Sequence, residues 1–113
     1  MDNKKTILII DDDVHIRRIL EIKIKLSGYD TLTAKNGKQG LEIIKNQKPD
    51  AVISDLNMPR LDGKELCIMT NPLKKDRPFF TIIITARIDP HEQKWIDEMQ
   101  DTNQLQLRLI RQL

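Results

Sequence analysis

The chain has 113 residues, 39% of them hydrophobic and 32% charged, which fits one globular domain over residues 1–113 and excludes a disordered tail. Nineteen basic and 17 acidic residues leave a net charge of +2, and aromatics are 4%, so the basic stripe and stacking platform of a dedicated nucleic-acid binder are missing. No apolar run nears the roughly 20 residues of a membrane span, the opening Met1-Asp2-Asn3-Lys4-Lys5 lacks the apolar stretch and small-residue cleavage site expected of a signal peptide, and a single cysteine, Cys67, allows no internal disulfide and fits a reducing cytoplasm.

Thr6-Ile7-Leu8-Ile9-Ile10 is apolar on both strand faces and stops at Asp11-Asp12-Asp13. Residues 14–26 follow with helical spacing: Ile16, Ile19, Leu20 and Ile24 form a stripe that Ile22 and Leu26 widen, and Gly28 supplies the stop. Residues 29–34 alternate as a second strand. Asn36-Gly37 opens a second helix with Leu41, Ile43 and Ile44 on its buried side, ended by Pro49. Ala51-Val52-Ile53 is a third strand that ends at Ser54-Asp55. Residues 64–70 make a short third helix, halted by Asn71-Pro72 because proline disfavours helix in the residue before it. A fourth strand over 79–84 ends at Thr85. Residues 90–99 form a fourth helix, with Pro90 in its first turn and Trp95, Ile96 and Met99 to one side.

Continuous apolar runs bounded by polar clusters suit strands covered on both faces. Their alternation with helices predicts an α/β fold, a doubly wound parallel sheet with helices on both faces; the flavodoxin-like order 2-1-3-4-5 is the arrangement expected of such a sheet if strands one and three are neighbours. The tail is harder to place. Fourteen residues follow Met99, whereas a strand, a helix and their loops need roughly 20. Residues 105–113 read as a final helix, and the fifth strand is left open or abbreviated.

In open α/β sheets ligands sit outside the carboxyl ends of the strands, where strand order reverses. Asp11, Asp12 and Asp13 end the first strand and Asp55 ends the third. If these strands are neighbours, Asp11, Asp12 and Asp55 converge. Two carboxylates about 4 Å apart repel by roughly 4 kcal/mol at an effective dielectric of 20. A hard divalent cation such as Mg2+, held by oxygen ligands, relieves that repulsion. One aspartate at a strand end is most simply a solvated loop residue; a run of three plus Asp55 favours the cation.

Ile7-Leu8-Ile9-Ile10-Asp11-Asp12-Asp13, then Ser54-Asp55-Leu56-Asn57-Met58-Pro59-Arg60-Leu61-Asp62-Gly63, then Ile84-Thr85-Ala86 resembles the receiver domain of two-component response regulators, of which the chemotaxis response regulator is a single-domain example. The resemblance runs from residue 5 to about 99 in order and spacing. It implies a phosphoacceptor signalling module that works in the cytoplasm and is no turnover enzyme. Asp55 would accept the phosphoryl group. Asp12, Asp55 and the backbone carbonyl of Asn57 would ligate Mg2+, with Asp11 helping through water. Thr85 would donate its hydroxyl to the new phosphoryl oxygens. The implied partners are a sensor histidine kinase and a downstream protein, with no direct nucleic-acid or membrane binding, and a homodimer through the last helices is open to such a domain.

One departure from the family pattern stands out. A Lys-Pro pair at the end of a fifth strand, with an aromatic residue earlier on it, has no counterpart after Met99. Either the domain binds Mg2+ and switches poorly, or the chain is incomplete around residues 100–104. The alternative function is therefore a degenerate receiver, a protein-binding module independent of phosphorylation. A Mg2+-dependent phosphatase with an aspartyl phosphate is a third reading. It is disfavoured because Asn57, two residues after Asp55, cannot act as the acid at neutral pH.

Other residues have plain readings. His15 and His91 read as exposed helix-start histidines, Cys67 as a small apolar group, Met58 as loop packing, and Lys23, Lys25, Lys35, Lys38, Lys45 and Lys48 as solvated helix faces. Trp95 is either core or an interface anchor.

Overall fold

The computed structural model describes residues 4–55, 63–70, 72–73, 80–85, 94 and 107–111. These form β1 (Thr6–Ile10), α1 (Val14–Leu26), β2 (Asp30–Ala34), α2 (Gly37–Gln47), β3 (Ala51–Asp55), α3 (Gly63–Thr70), β4 (Phe80–Thr85) and β5 (Leu107–Arg111). The fourth helix expected over 90–99, with His91 and Trp95, lies outside the described residues apart from Lys94, which is exposed. So do Asn57, Met58 and Pro59.

All strand pairs are parallel, in the order β2-β1-β3-β4-β5. The order reverses at β1, which pairs with β2 on one side and β3 on the other. Right-handed crossovers then place α1 on one face of the sheet and α2 and α3 on the other. Leu8, Ile10 and Val52 from the strands pack with Leu41 and Ile44 of α2 and Leu66 of α3 in one core.

Local chemistry sets the boundaries. The carboxylate of Asp13 accepts hydrogen bonds from the backbone N–H groups of His15 (2.8 Å) and Ile16 (3.4 Å), capping α1. After Ser27 the chain turns through Gly28 at φ 97°, a conformation that favours glycine. Asn36 caps α2 by accepting from the Gln39 N–H at 2.8 Å. That helix ends on Lys48 at φ 49°, immediately before Pro49.

Two expectations are corrected. Residues 107–111 are a strand, not part of a final helix, so the fifth strand is present and a last-helix dimer loses that element. Its residues pair in register with β4, from Thr81–Leu107 to Thr85–Arg111. The free edge of β4 offers a row of backbone donors and acceptors, and pairing with it outweighs the mixed leucine spacing of the tail. The apolar stripe of α1 is also narrower than its sequence suggests. Ile16, Leu20 and Ile24, four residues apart, are half-buried, while Ile19, Ile22 and Leu26 are exposed.

Candidate functional site

The site forms where β1 and β3 lie side by side and end together. Ile10 pairs with Ser54, so Asp11 and Asp55, each one residue further on, leave the sheet at the same level. The Asp11 N–H donates to Ala34 O at 3.2 Å, carrying the β1–β2 ladder one residue past the strand. Ser54, fully buried, donates its hydroxyl to the Asp55 carbonyl at 3.0 Å.

Asp11, Asp12 and Asp55 each bring a carboxylate oxygen to within 4.8 Å of the others. Asp11 is buried, Asp55 half-buried and Asp12 exposed. Burial pushes the Asp11 carboxyl above its ordinary value; the Asp13 N–H, donating to Asp11 Oδ1 at 2.9 Å, opposes this, and the charges of Asp55, Asp12 and Asp13 add to it. At this separation, Asp11 and Asp55 repel by about 3.5 kcal/mol at an effective dielectric of about 20. A small, hard dication fits such a donor set. The cluster holds three carboxylates and neither histidine nor cysteine, the chemistry that suits Mg2+ or Mn2+ and not a soft metal.

The convergence of Asp11, Asp12 and Asp55 expected from sequence is thus observed. Asn57 lies outside the described residues. Thr85 ends β4, one residue beyond Ile84, which pairs with Asp55. Opposite Thr85, β5 places Arg111, and no lysine lies on that strand. His15 is exposed, as expected.

Sequence reasoning missed two residues. Asp13, the third acid of the run, is a helix cap and lies outside the cluster; the signal was available, since an aspartate immediately before a helical pattern is a preferred cap. Arg17, in the first turn of α1, donates from Nη1 to the Asp11 carbonyl at 2.7 Å. No sequence rule announces that contact, which depends on a long side chain folding back toward the sheet edge.

Residues 7–102 match the family model for the response regulator receiver domain. The chain belongs to that family. This receiver domain is 42% identical over 86 residues to the probable transcriptional regulator ycf27 of Porphyridium aerugineum, covering 76% of this chain and 35% of that protein. It is 40% identical over 81 residues to the response regulator MprA of Mycobacterium sp. (strain KMS), covering 72% of this chain and 34% of the other. The chain thus spans about a third of the length of these relatives. Among solved structures, chemotaxis protein CheY4 of Vibrio cholerae has the same fold, with a TM-score of 0.81 at 20% identity over 96% of this chain and 87% of that one. Response regulator TrrA of Thermotoga maritima, in complex with Mg2+-BeF, matches with a TM-score of 0.76 at 28% identity over 96% of this chain and 88% of its own. Among the described residues no helix is long and apolar enough to cross a membrane.

Proposed function

We propose that this receiver domain, working in the cytoplasm, takes a phosphoryl group from the phosphohistidine of a sensor histidine kinase onto Asp55 and thereby switches a surface read by a downstream protein. The observation that carries the reading is the meeting of the Asp11, Asp12 and Asp55 carboxylates within 4.8 Å at the carboxyl edge of a parallel sheet. The Mg2+-BeF complex of TrrA supports it.

An Asp55 carboxylate oxygen attacks phosphorus, the P–O bond forms as the donor P–N bond breaks, and the imidazole keeps the electron pair. Asp12 and Asp55 would hold Mg2+, with the Asn57 carbonyl as a further ligand and Asp11 acting through water. The ion would supply positive charge against the transferring phosphoryl oxygens. Burial keeps Asp11 fixed in place, and Asp13 holds its Oδ1. Thr85, level with the site by register, offers its hydroxyl to the new phosphoryl oxygens. The domain supports this transfer and its own later dephosphorylation, in which water takes the phosphoryl group and releases phosphate and the Asp55 carboxylate, without turning over a separate substrate, and its partners are proteins, not nucleic acid or membrane.

Labelling with a radioactive small phosphodonor in Mg2+ tests the proposal. Wild type takes up label, and Asp55→Asn, with an unchanged circular dichroism spectrum, takes up none. Full labelling of that variant overturns the assignment.

A second reading follows from one observation: β5 carries Arg111 opposite Thr85, and no lysine along its length. The domain would then bind a partner independently of phosphorylation. Beryllofluoride with Mg2+ separates the two. Saturating amide shifts around Asp55 and Thr85 mark the switch, and no response marks the constitutive module.

A further inference from the structure

We propose that Arg17 is a positioning residue for the metal ligands, acting as a clamp on the peptide that joins Asp11 to Asp12. The inference rests on the reading of the acidic cluster as a divalent-cation site.

The Asp11 carbonyl and the Asp12 N–H belong to one rigid, planar peptide unit. Arg17 Nη1 donates to that carbonyl at 2.7 Å, the length of a strong charge-assisted bond. Fixing the oxygen fixes the plane, and the plane sets where the Asp12 Cα leaves the loop. Four further bonds hold the same turn. The Asp11 N–H donates to Ala34 O, the Asp13 N–H donates to Asp11 Oδ1, and Asp13 Oδ1 caps α1. Each of those secures Asp11 or Asp13. The bond from Arg17 acts directly on the peptide that leads to Asp12, whose side chain is exposed.

The contact is specific in another way. Arg17, a half-buried residue, bonds a main-chain carbonyl and forms no ion pair among the described residues. An arginine placed only for its charge would sit on a carboxylate, and four lie close by in sequence or space: Asp11, Asp12, Asp13 and Asp55. As a charge, Arg17 opposes a cation in the cluster. As a clamp, it favours one. The two roles therefore predict opposite signs when it is removed.

The test measures Mn2+ binding by electron paramagnetic resonance of the free ion, with no phosphodonor present. Wild type binds Mn2+ and Asp12→Asn does not. Arg17→Met keeps the apolar stem and loses the donor. Its dissociation constant rises about ten-fold, the lower end of what losing a hydrogen bond behind a metal ligand costs. Arg17→Lys, which restores a donor of nearly the same reach, recovers part of that loss. Melting in EDTA separates a general loss of stability from a loss confined to the metal site. If the methionine variant does not fold, Arg17→Gln, too short to reach the carbonyl, carries the same expectation. Unchanged or tighter Mn2+ binding in a folded Arg17→Met or Arg17→Gln overturns the clamp while leaving the cation site intact. Failure of wild type to bind Mn2+ overturns both.

Discussion

Gly40 of α2 presses against Ile10 of β1 so closely that a Cβ at position 40 would lie 2.9 Å from Ile10 Cγ1 and closer still to Cδ1. Ile10 is 1% exposed and belongs to the core with Leu8, Val52 and Leu66, so it has little room to move aside. Gly40→Ala therefore lowers stability by about 1–3 kcal/mol, the usual cost of overpacking, despite the better helix propensity of alanine. Urea unfolding reads this as a lower midpoint at constant slope. Ile10→Val removes Cδ1, so the double variant loses less than the sum of the two single changes. Additivity would show that the contact is relieved elsewhere.

The start of α2 depends on a reciprocal pair. Asn36 accepts from the Gln39 N–H at 2.8 Å, and Gln39 Oε1 accepts from the Lys35 N–H at 2.8 Å. Asn36→Ala costs about 1 kcal/mol, while Asn36→Asp or Asn36→Ser stays near wild type. Thermal melting of the three variants checks the ranking.

At the opposite edge of the sheet from the acidic cluster, Asp50 closes the entry to β1. Its carboxylate accepts the Thr6 N–H at 2.8 Å, and its own N–H donates to Thr6 O at 2.8 Å. Asp50→Ala removes the charge-assisted bond and destabilises by about 1–2 kcal/mol. Mn2+ affinity stays unchanged, because the site is built from the other ends of β1 and β3. A coupled loss of metal binding would mean that β1 shifts along its length.

The half of the fold that carries the site was legible because each boundary had a local cause. Gly28 and Asn36 stand where the helix ends need them, and the apolar runs ending at Asp11 and Asp55 are bounded by charge; the capping role of Asp13 was missed within the acidic run. Convergence of Asp11, Asp12 and Asp55 was legible on the condition that β1 and β3 are neighbours, as they are in the order 2-1-3-4-5. The tail was not legible. Leu105, Leu107, Leu109, Ile110 and Leu113 fit two periods, and what decides between them is the open edge of β4, a partner remote in sequence. The exposure of Ile19, Ile22 and Leu26 was hidden for a related reason. Helical spacing tells which residues share a face, not how much of that face the sheet covers. The contact from Arg17 to the Asp11 carbonyl turns on a side-chain conformation that no spacing encodes.

Asp11 makes metal-free stability fall as pH rises. Burial, with Asp55, Asp12 and Asp13 nearby, raises its carboxyl above the ordinary 3.8 in the folded state. Between 3.8 and that raised value the folded chain binds more protons than the unfolded one, so the slope of stability against pH is negative. The contribution is fully present below 3.8 and is lost as pH rises through the folded value. In EDTA, unfolding midpoints therefore decline across this window, and Asp11→Asn removes that part of the decline while keeping an acceptor for the Asp13 N–H. At neutral pH without metal, the variant is the more stable protein. Divalent cation reverses the order. Wild type gains about 2.7 kcal/mol at a concentration one hundred times the dissociation constant, and Asp11→Asn, one carboxylate short, gains less at the same concentration. Melting both proteins at pH 7 in EDTA and in Mg2+ checks the crossing. If wild type remains the more stable in EDTA, the Asp11 carboxylate is better compensated in the fold than its burial among three other acids implies.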